Sequence, residues 1–222
     1  MEQKTESDLL FEKFCRMNGI ECRPVETSSV EGEKTPDYDI LIAGYKILVE
    51  VKQMNPNPGE AQKQEELNKT GTTSIKSKPG HRVRGKIKDA MGKFKKRTEN
   101  RHPSLLVLYD NVKYYKHTDP FEILSAMYGE PYFSVTYTDT TDRIEIGNMK
   151  LGGKQKMTKD TNTSISAIGV LKKESDGNPS LEIFHNIYAK SPLSSEVLSK
   201  IPVKQYTIDP TKSTELQEIR IS

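Results

Sequence analysis

Apolar residues recur at helical spacing at the start of the chain and at strand spacing soon afterwards. Leu9, Leu10, Phe11, Phe14 and Met17 predict an amphipathic helix over roughly residues 5–18, with Gly19 as its stop. Glu6 falls on the apolar side of that helix, where it either caps the first-turn amides or reaches into a site; Asp8, Glu12 and Arg16 form the outer stripe. After a strand at 20–25 and a polar loop, residues 35–53 read as a β-hairpin. Its arms, 37–42 and 46–51, are rich in Ile, Leu, Val and Tyr and meet at Ala43-Gly44-Tyr45, where Gly can take the positive φ of a tight turn.

Alternation puts Asp37 and Asp39 on one face of the first arm, and Glu50 and Lys52 on one face of the second. Register then decides what meets. An Ala43-Gly44 turn, or a loop two residues longer, sets Asp37 opposite Glu50, and a Gly44-Tyr45 turn gives that place to Asp39. A three-residue loop throws Glu50 to the far face and abolishes the cluster.

Residues 54–80 are rich in Asn, Pro, Gly, Thr, Ser, Gln and Lys and read as a mobile insertion with at most a short polar helix around 60–68. Helical periodicity returns over 82–97, with Ile87, Ala90, Met91 and Phe94 as the apolar face. Lys86, Lys93 and Arg97 lie on one flank of that helix, and Arg84, Lys88 and Lys95 on the other. A continuous apolar run at 104–109 predicts a strand covered on both faces. In the second half the pattern predicts a short helix capped by Thr118 or Asp119, strands at 132–137 and 143–146, a hairpin of 165–172 with 181–188, a short helix near 194–200 and a strand at 203–208. Without repeats or an obvious linker, a single domain over 1–222 is expected, with a core at 5–110 and a C-terminal elaboration at 111–222.

Charge changes this picture. The net charge is only +3, yet residues 1–50 hold 6 Lys+Arg against 11 Asp+Glu, whereas 69–102 hold 12 against 2. A basic segment beside an acidic one suits a polyanion next to metal-holding carboxylates; the alternative is a basic helix that simply faces water. No apolar stretch approaches the roughly 20 residues that cross a bilayer, and the N-terminus has acids where a signal peptide needs a basic start, so a cytoplasmic protein without membrane contact is expected. Cys15 and Cys22 are read as structural, and the four histidines have no metal-ligand spacing.

Two carboxylates on adjacent strands, with a Lys two residues after one of them, can hold a hard divalent cation and place an ammonium beside a reacting phosphate. Pro36-Asp37 followed by Glu50-Val51-Lys52, in a hairpin between a helix containing Glu6 and an amphipathic helix with a buried strand, resembles the PD-(D/E)xK nuclease superfamily over roughly 5–110. The resemblance implies an α/β (α+β) fold with a restriction-endonuclease-like core: a mixed central β-sheet flanked by helices, here with additional C-terminal strands. It also implies a Mg2+-dependent nuclease, with Mn2+ as a substitute, cutting nucleic acid and DNA in the first instance. Asp37 and Glu50 would be metal ligands with the carbonyl of Val51, Lys52 the catalytic lysine, and Glu6 the first-helix acid of many members. Gln53 extends the motif but alternates to the other face, and Asp39 is not part of it. Arg82, Arg84, Lys86, Lys93, Lys96 and Arg97 are the expected nucleic-acid contacts, and a homodimer is compatible with the resemblance. The competing reading is a catalytically inactive nucleic-acid-binding or protein-interaction module that retains the fold.

Overall fold

A computed structural model describes residues 4–26, 34–76, 78–94, 102–138, 143–147, 150–209 and 216–219. It is a mixed α/β fold built on one large sheet. Along the chain lie α1 (Glu6–Met17), β1 (Glu21–Pro24), β2 (Tyr38–Ile42), β3 (Tyr45–Met54), α2 (Pro58–Thr70), α3 (His81–Phe94) and β4 (Ser104–Asp110). There follow α4 (Pro120–Tyr128), β5 (Glu130–Tyr132), β6 (Val135–Thr138), β7 (Arg143–Ile146), β8 (Lys150–Gly152), β9 (Ala167–Lys173), β10 (Pro179–His185), α5 (Ser195–Leu198), β11 (Val203–Ile208) and β12 (Leu216–Glu218).

Eight strands form the central sheet in the order β1-β2-β3-β4-β9-β10-β11-β12, so the strands of the second half extend the sheet of the first. The antiparallel β2–β3 hairpin is followed by a helical crossover to β4, which runs parallel to β3; β9 then joins β4, also in parallel. Parallel neighbours need such a crossover because a tight turn cannot return the chain in the same direction. All seven residues of β4 are buried, as its unbroken apolar run predicts for a strand covered on both faces.

The two faces carry separate cores. Leu10, Phe11, Phe14 and Cys15 of α1 pack over Val49, Val51, Val107 and Tyr109. On the other side Val83, Ile87, Ala90 and Phe94 of α3, together with α4, cover Leu48, Leu106 and Leu108. Full burial of each large apolar side chain contributes about 1.5–3 kcal/mol. Leu9, Met17 and Met91, expected on apolar faces, are exposed, because each helix shows the sheet a stripe too narrow to include them.

Residues 58–70 are a helix, longer than the short polar helix around 60–68 that was expected at most within a mobile insertion. Asn57 and Glu60 close a capping box around Pro58, and Gly71 ends the helix at φ 76°. No residue of α2 is buried. It is held by Glu60, which takes both a bidentate ion pair from Arg82 and, on its carbonyl, the hydroxyl of Tyr114. The strand expected at 132–137 is split between β5 and β6, which pair with β8 and β7 in two small separate ribbons.

Candidate carboxylate and lysine site

The hairpin turn is Ala43-Gly44, with Ile42 paired to Tyr45 and Tyr38 to Val49. Both turn residues have positive φ, 50° for Ala43 and 80° for Gly44, as a type I′ turn demands. Continued one step, this register sets Asp37 opposite Glu50; the alternative with Asp39 in that place is excluded. Asp39 pairs with Leu48 on the ladder, and its carboxylate lies 2.6 Å from Lys46.

β3 runs beyond the start of β2, so its last residues lose their hairpin partner on that edge. Asp37 takes over. Its Oδ2 accepts a hydrogen bond from the Val51 N–H at 2.8 Å. In an extended strand the N–H and C=O of one residue point to the same side, so the Val51 carbonyl faces the Asp37 edge and not β4.

Glu50 alternates onto the face covered by α3 and is 0 % exposed. Two ammonium groups meet its Oε1, Lys52 at 2.5 Å and Lys93 at 2.6 Å. Its buried Oε2 has no hydrogen-bond partner. Burial first, and then the charge of Asp37, push the Glu50 carboxyl above its ordinary pKa, and the two lysines oppose that rise. Lys93 also lies 3.2 Å from Asp37 Oδ1, so one ammonium bridges both acids. Burial works against the charge on Lys93, but the carboxylates outweigh it and the lysine is held above its usual range.

These groups open into a cleft of about 940 Å3 that Asp37, Lys52 and Lys93 line together with Lys34 and with Thr5 and Asp8 from the first turn of α1. Thr5 and Asp8 close the capping box of α1, the task that the sequence offered to Glu6. Ser7 N–H donates to Gln53 Oε1 at 3.0 Å, which docks this turn against β3 on the face opposite Glu50.

Glu6 does not join the cluster. Its carboxylate lies 3.2 Å from Lys173 and hydrogen-bonds Tyr109, whose phenol is pushed up to about 12 by burial and by that acid. Tyr109 belongs to the α1 side of the sheet, whereas Glu50 faces α3, so the sheet itself separates the two acids. Arg84, expected on nucleic acid, is also corrected: it is 7 % exposed and donates to the carbonyls of Ser125 and Pro79 and to Glu130. The packing of α4 on α3 buries it. Arg82 is committed to Glu60 and the carbonyl of Asn55. Lys86 is partly buried, which lowers its pKa ahead of the opposing pull of Asp89; the nearby charges of Lys52 and Arg82 lower it further. Lys96 and Arg97 lie outside the described residues.

Sequence reasoning placed Lys93 on a phosphate-facing flank and missed its pairing with both acids. Among the described residues no three His, Cys, Asp or Glu side chains gather into a metal-holding group, and no helix is long and apolar enough to cross a membrane. Two acids and one free-edge carbonyl nevertheless suit a hard cation that keeps several waters, and the unpartnered Oε2 of Glu50 is a buried acceptor such a cation would satisfy. Comparison with known proteins finds no matching family model, no matching curated protein and no matching solved structure.

Proposed function

We propose that this chain is a metal-dependent nuclease of the PD-(D/E)xK type, hydrolysing phosphodiester bonds of nucleic acid, DNA in the first instance. The observation that carries the reading is the juxtaposition of Asp37 and Glu50 at one end of a hairpin, with Lys52 two residues further on: Asp37 and Lys52 line one cleft, and Glu50 is buried against Lys52. The element order α1-β1-β2-β3-α2-α3-β4 supports it, since the superfamily core runs helix, three strands, helix, strand, and α2 is an addition to that order.

Asp37, Glu50 and the Val51 carbonyl would hold Mg2+, which when bound polarises a phosphate oxygen and makes water a better nucleophile at neutral pH. Lys52 carries a compact charge on a flexible stem, which suits it to hydrogen-bond the attacking water or the charge that builds on phosphorus. Lys34 and Lys86 provide cationic positions for the phosphate backbone.

A second reading has its own observation. Two carboxylates already neutralised by two ammonium groups need no metal, which favours a non-catalytic module that binds nucleic acid or protein. Plasmid, single-stranded DNA and RNA incubated with the protein in Mg2+, Mn2+ or EDTA separate the two. Divalent-dependent cutting that Glu50→Gln abolishes is the expected result. Binding without cutting in every metal overturns the nuclease reading.

A further inference from the structure

The crossover between β3 and β4 lays α3 on the sheet face that carries Glu50, and this brings the Lys93 ammonium between the two acids. It touches Glu50 Oε1 and Asp37 Oδ1. Asp37 Oδ2 is already taken by the Val51 N–H, so a divalent ion held by both carboxylates would need Oδ1, the oxygen that Lys93 touches. Two cations cannot share that gap. Lys52 does not raise the same conflict, because it pairs with Glu50 alone and not with Asp37.

We infer that Lys93 is a resident cation that a divalent ion must displace, and that nucleic acid promotes the exchange by accepting the displaced ammonium on a phosphate. This rests on the metal-site reading above. Lys93 lines the cleft wall and its side chain is only partly covered, so its terminal group can leave the acids without the helix moving. In the metal-free protein the lysine offsets the repulsion between Asp37 and Glu50, which keeps the site folded and quiet. A phosphate entering the cleft offers Lys93 a second anion. Metal and nucleic acid then favour each other's binding, and by linkage each raises the affinity of the other by the same factor. Loading of the ion is thereby made conditional on substrate.

The experiment measures Mn2+ binding by the magnetic resonance signal of free Mn2+, on the full chain, with and without a phosphorothioate DNA duplex that resists cutting. Wild type, Lys93→Met, Lys93→Arg, Lys88→Met and Glu50→Gln are compared. Lys93→Met alone should bind Mn2+ about tenfold more tightly than wild type, and the duplex should tighten wild type by about tenfold but Lys93→Met by less than about twofold. Lys93→Arg retains the cation and should stay weak, and Lys88→Met, an exposed lysine of the same helix, should behave as wild type. Circular dichroism establishes folding, and Lys93→Gln replaces the Met variant if that one does not fold. Equal Mn2+ affinity in wild type and Lys93→Met, lost in Glu50→Gln, overturns the inference and leaves the nuclease reading standing. An undiminished duplex effect in Lys93→Met also overturns it. Absence of Mn2+ binding in every variant, with or without duplex, removes the metal reading together with the inference.

Discussion

The Asp37 carboxylate hydrogen-bonds the Val51 N–H at 2.8 Å, a side chain standing in for a strand that has ended. The same residue that would hold a metal therefore also closes the ladder, and its two tasks can be separated. Asp37→Asn keeps an acceptor for Val51 while removing the charge; Asp37→Ala removes both. We expect both variants to lose divalent-dependent cleavage by about 10²–10³ or more, as loss of a preorganised charge commonly does, and only Asp37→Ala to lose about 1–3 kcal/mol of stability from the unpaired amide. Initial rates of plasmid nicking and urea melts read the two effects. Cutting at the wild-type rate by Asp37→Asn would exclude it from the site. Asp39→Ala, whose partner is Lys46, should cut normally.

The two cationic flanks of α3 should behave differently. Arg84 is buried against carbonyl groups of the α3–α4 interface, so Arg84→Ala should cost about 2–4 kcal/mol of stability by leaving those acceptors unpaired. It should leave the salt dependence of nucleic-acid binding unchanged. Lys34 and Lys86 carry the opposite expectation: replacing each with Gln should flatten the slope of log affinity against log salt by about 0.9 on duplex DNA, with little change in stability. Fluorescence anisotropy titrations at several salt concentrations give the slopes. A flattened slope in Arg84→Ala alone would reverse the assignment.

The hairpin was legible because its signals are local. Gly44 marks the turn, the arms alternate, and Pro36-Asp37 and Glu50-Val51-Lys52 stand at the matching ends. Which of the open registers forms was not legible, since Ala43 must accept a positive φ that its sequence does not advertise. The place of Lys93 depends on how α3 docks after a long crossover, and no local pattern encodes that. Arg84 misled for the converse reason: a cation in a cationic run reads as surface until α4 is packed over it. Glu6 reads as pointing inward, and it does, but towards Tyr109 and Lys173 on the other side of the sheet. The helix α2 is polar all round and so lacks the periodicity by which helices are recognised; only Asn57, Pro58 and Glu60 announce it.

The turn itself gives a test of register. Ala43 sits at φ 50°, where an L side chain other than Asn or Asp is disfavoured by roughly 1–2 kcal/mol. Asn-Gly is the preferred pair for this turn, so Ala43→Asn should raise Tm by about 2–4 °C per kcal/mol recovered while leaving the site intact. Inserting one Gly between Ala43 and Gly44 should do the opposite to function, because a one-residue slip moves Glu50 to the α1 face. Calorimetry and the cleavage assay together decide. A destabilised Ala43→Asn variant would mean that the turn is not of this type.

Glu50 should leave a mark on the pH dependence of stability. Its carboxyl is raised above its ordinary value of 4.5, by burial and by Asp37, so the folded state holds this proton at a pH where the unfolded chain has released it. Between 4.5 and the raised value the native state binds more protons at this site than the unfolded state, and the contribution of Glu50 to stability therefore falls as pH rises. Above the folded pKa the loss is complete; below 4.5 it is absent. Glu50→Gln cannot titrate. Subtracting its urea-melt stability from that of the wild type, point by point from pH 4 to 8, isolates the group from the other acids of the chain. We expect the difference to move against the wild type with rising pH, at no more than about 1.4 kcal/mol per pH unit, which is the slope for one proton. A flat difference would mean that Lys52 and Lys93 cancel the burial of Glu50 entirely, and a difference that favours the wild type as pH rises would mean that they overcompensate it.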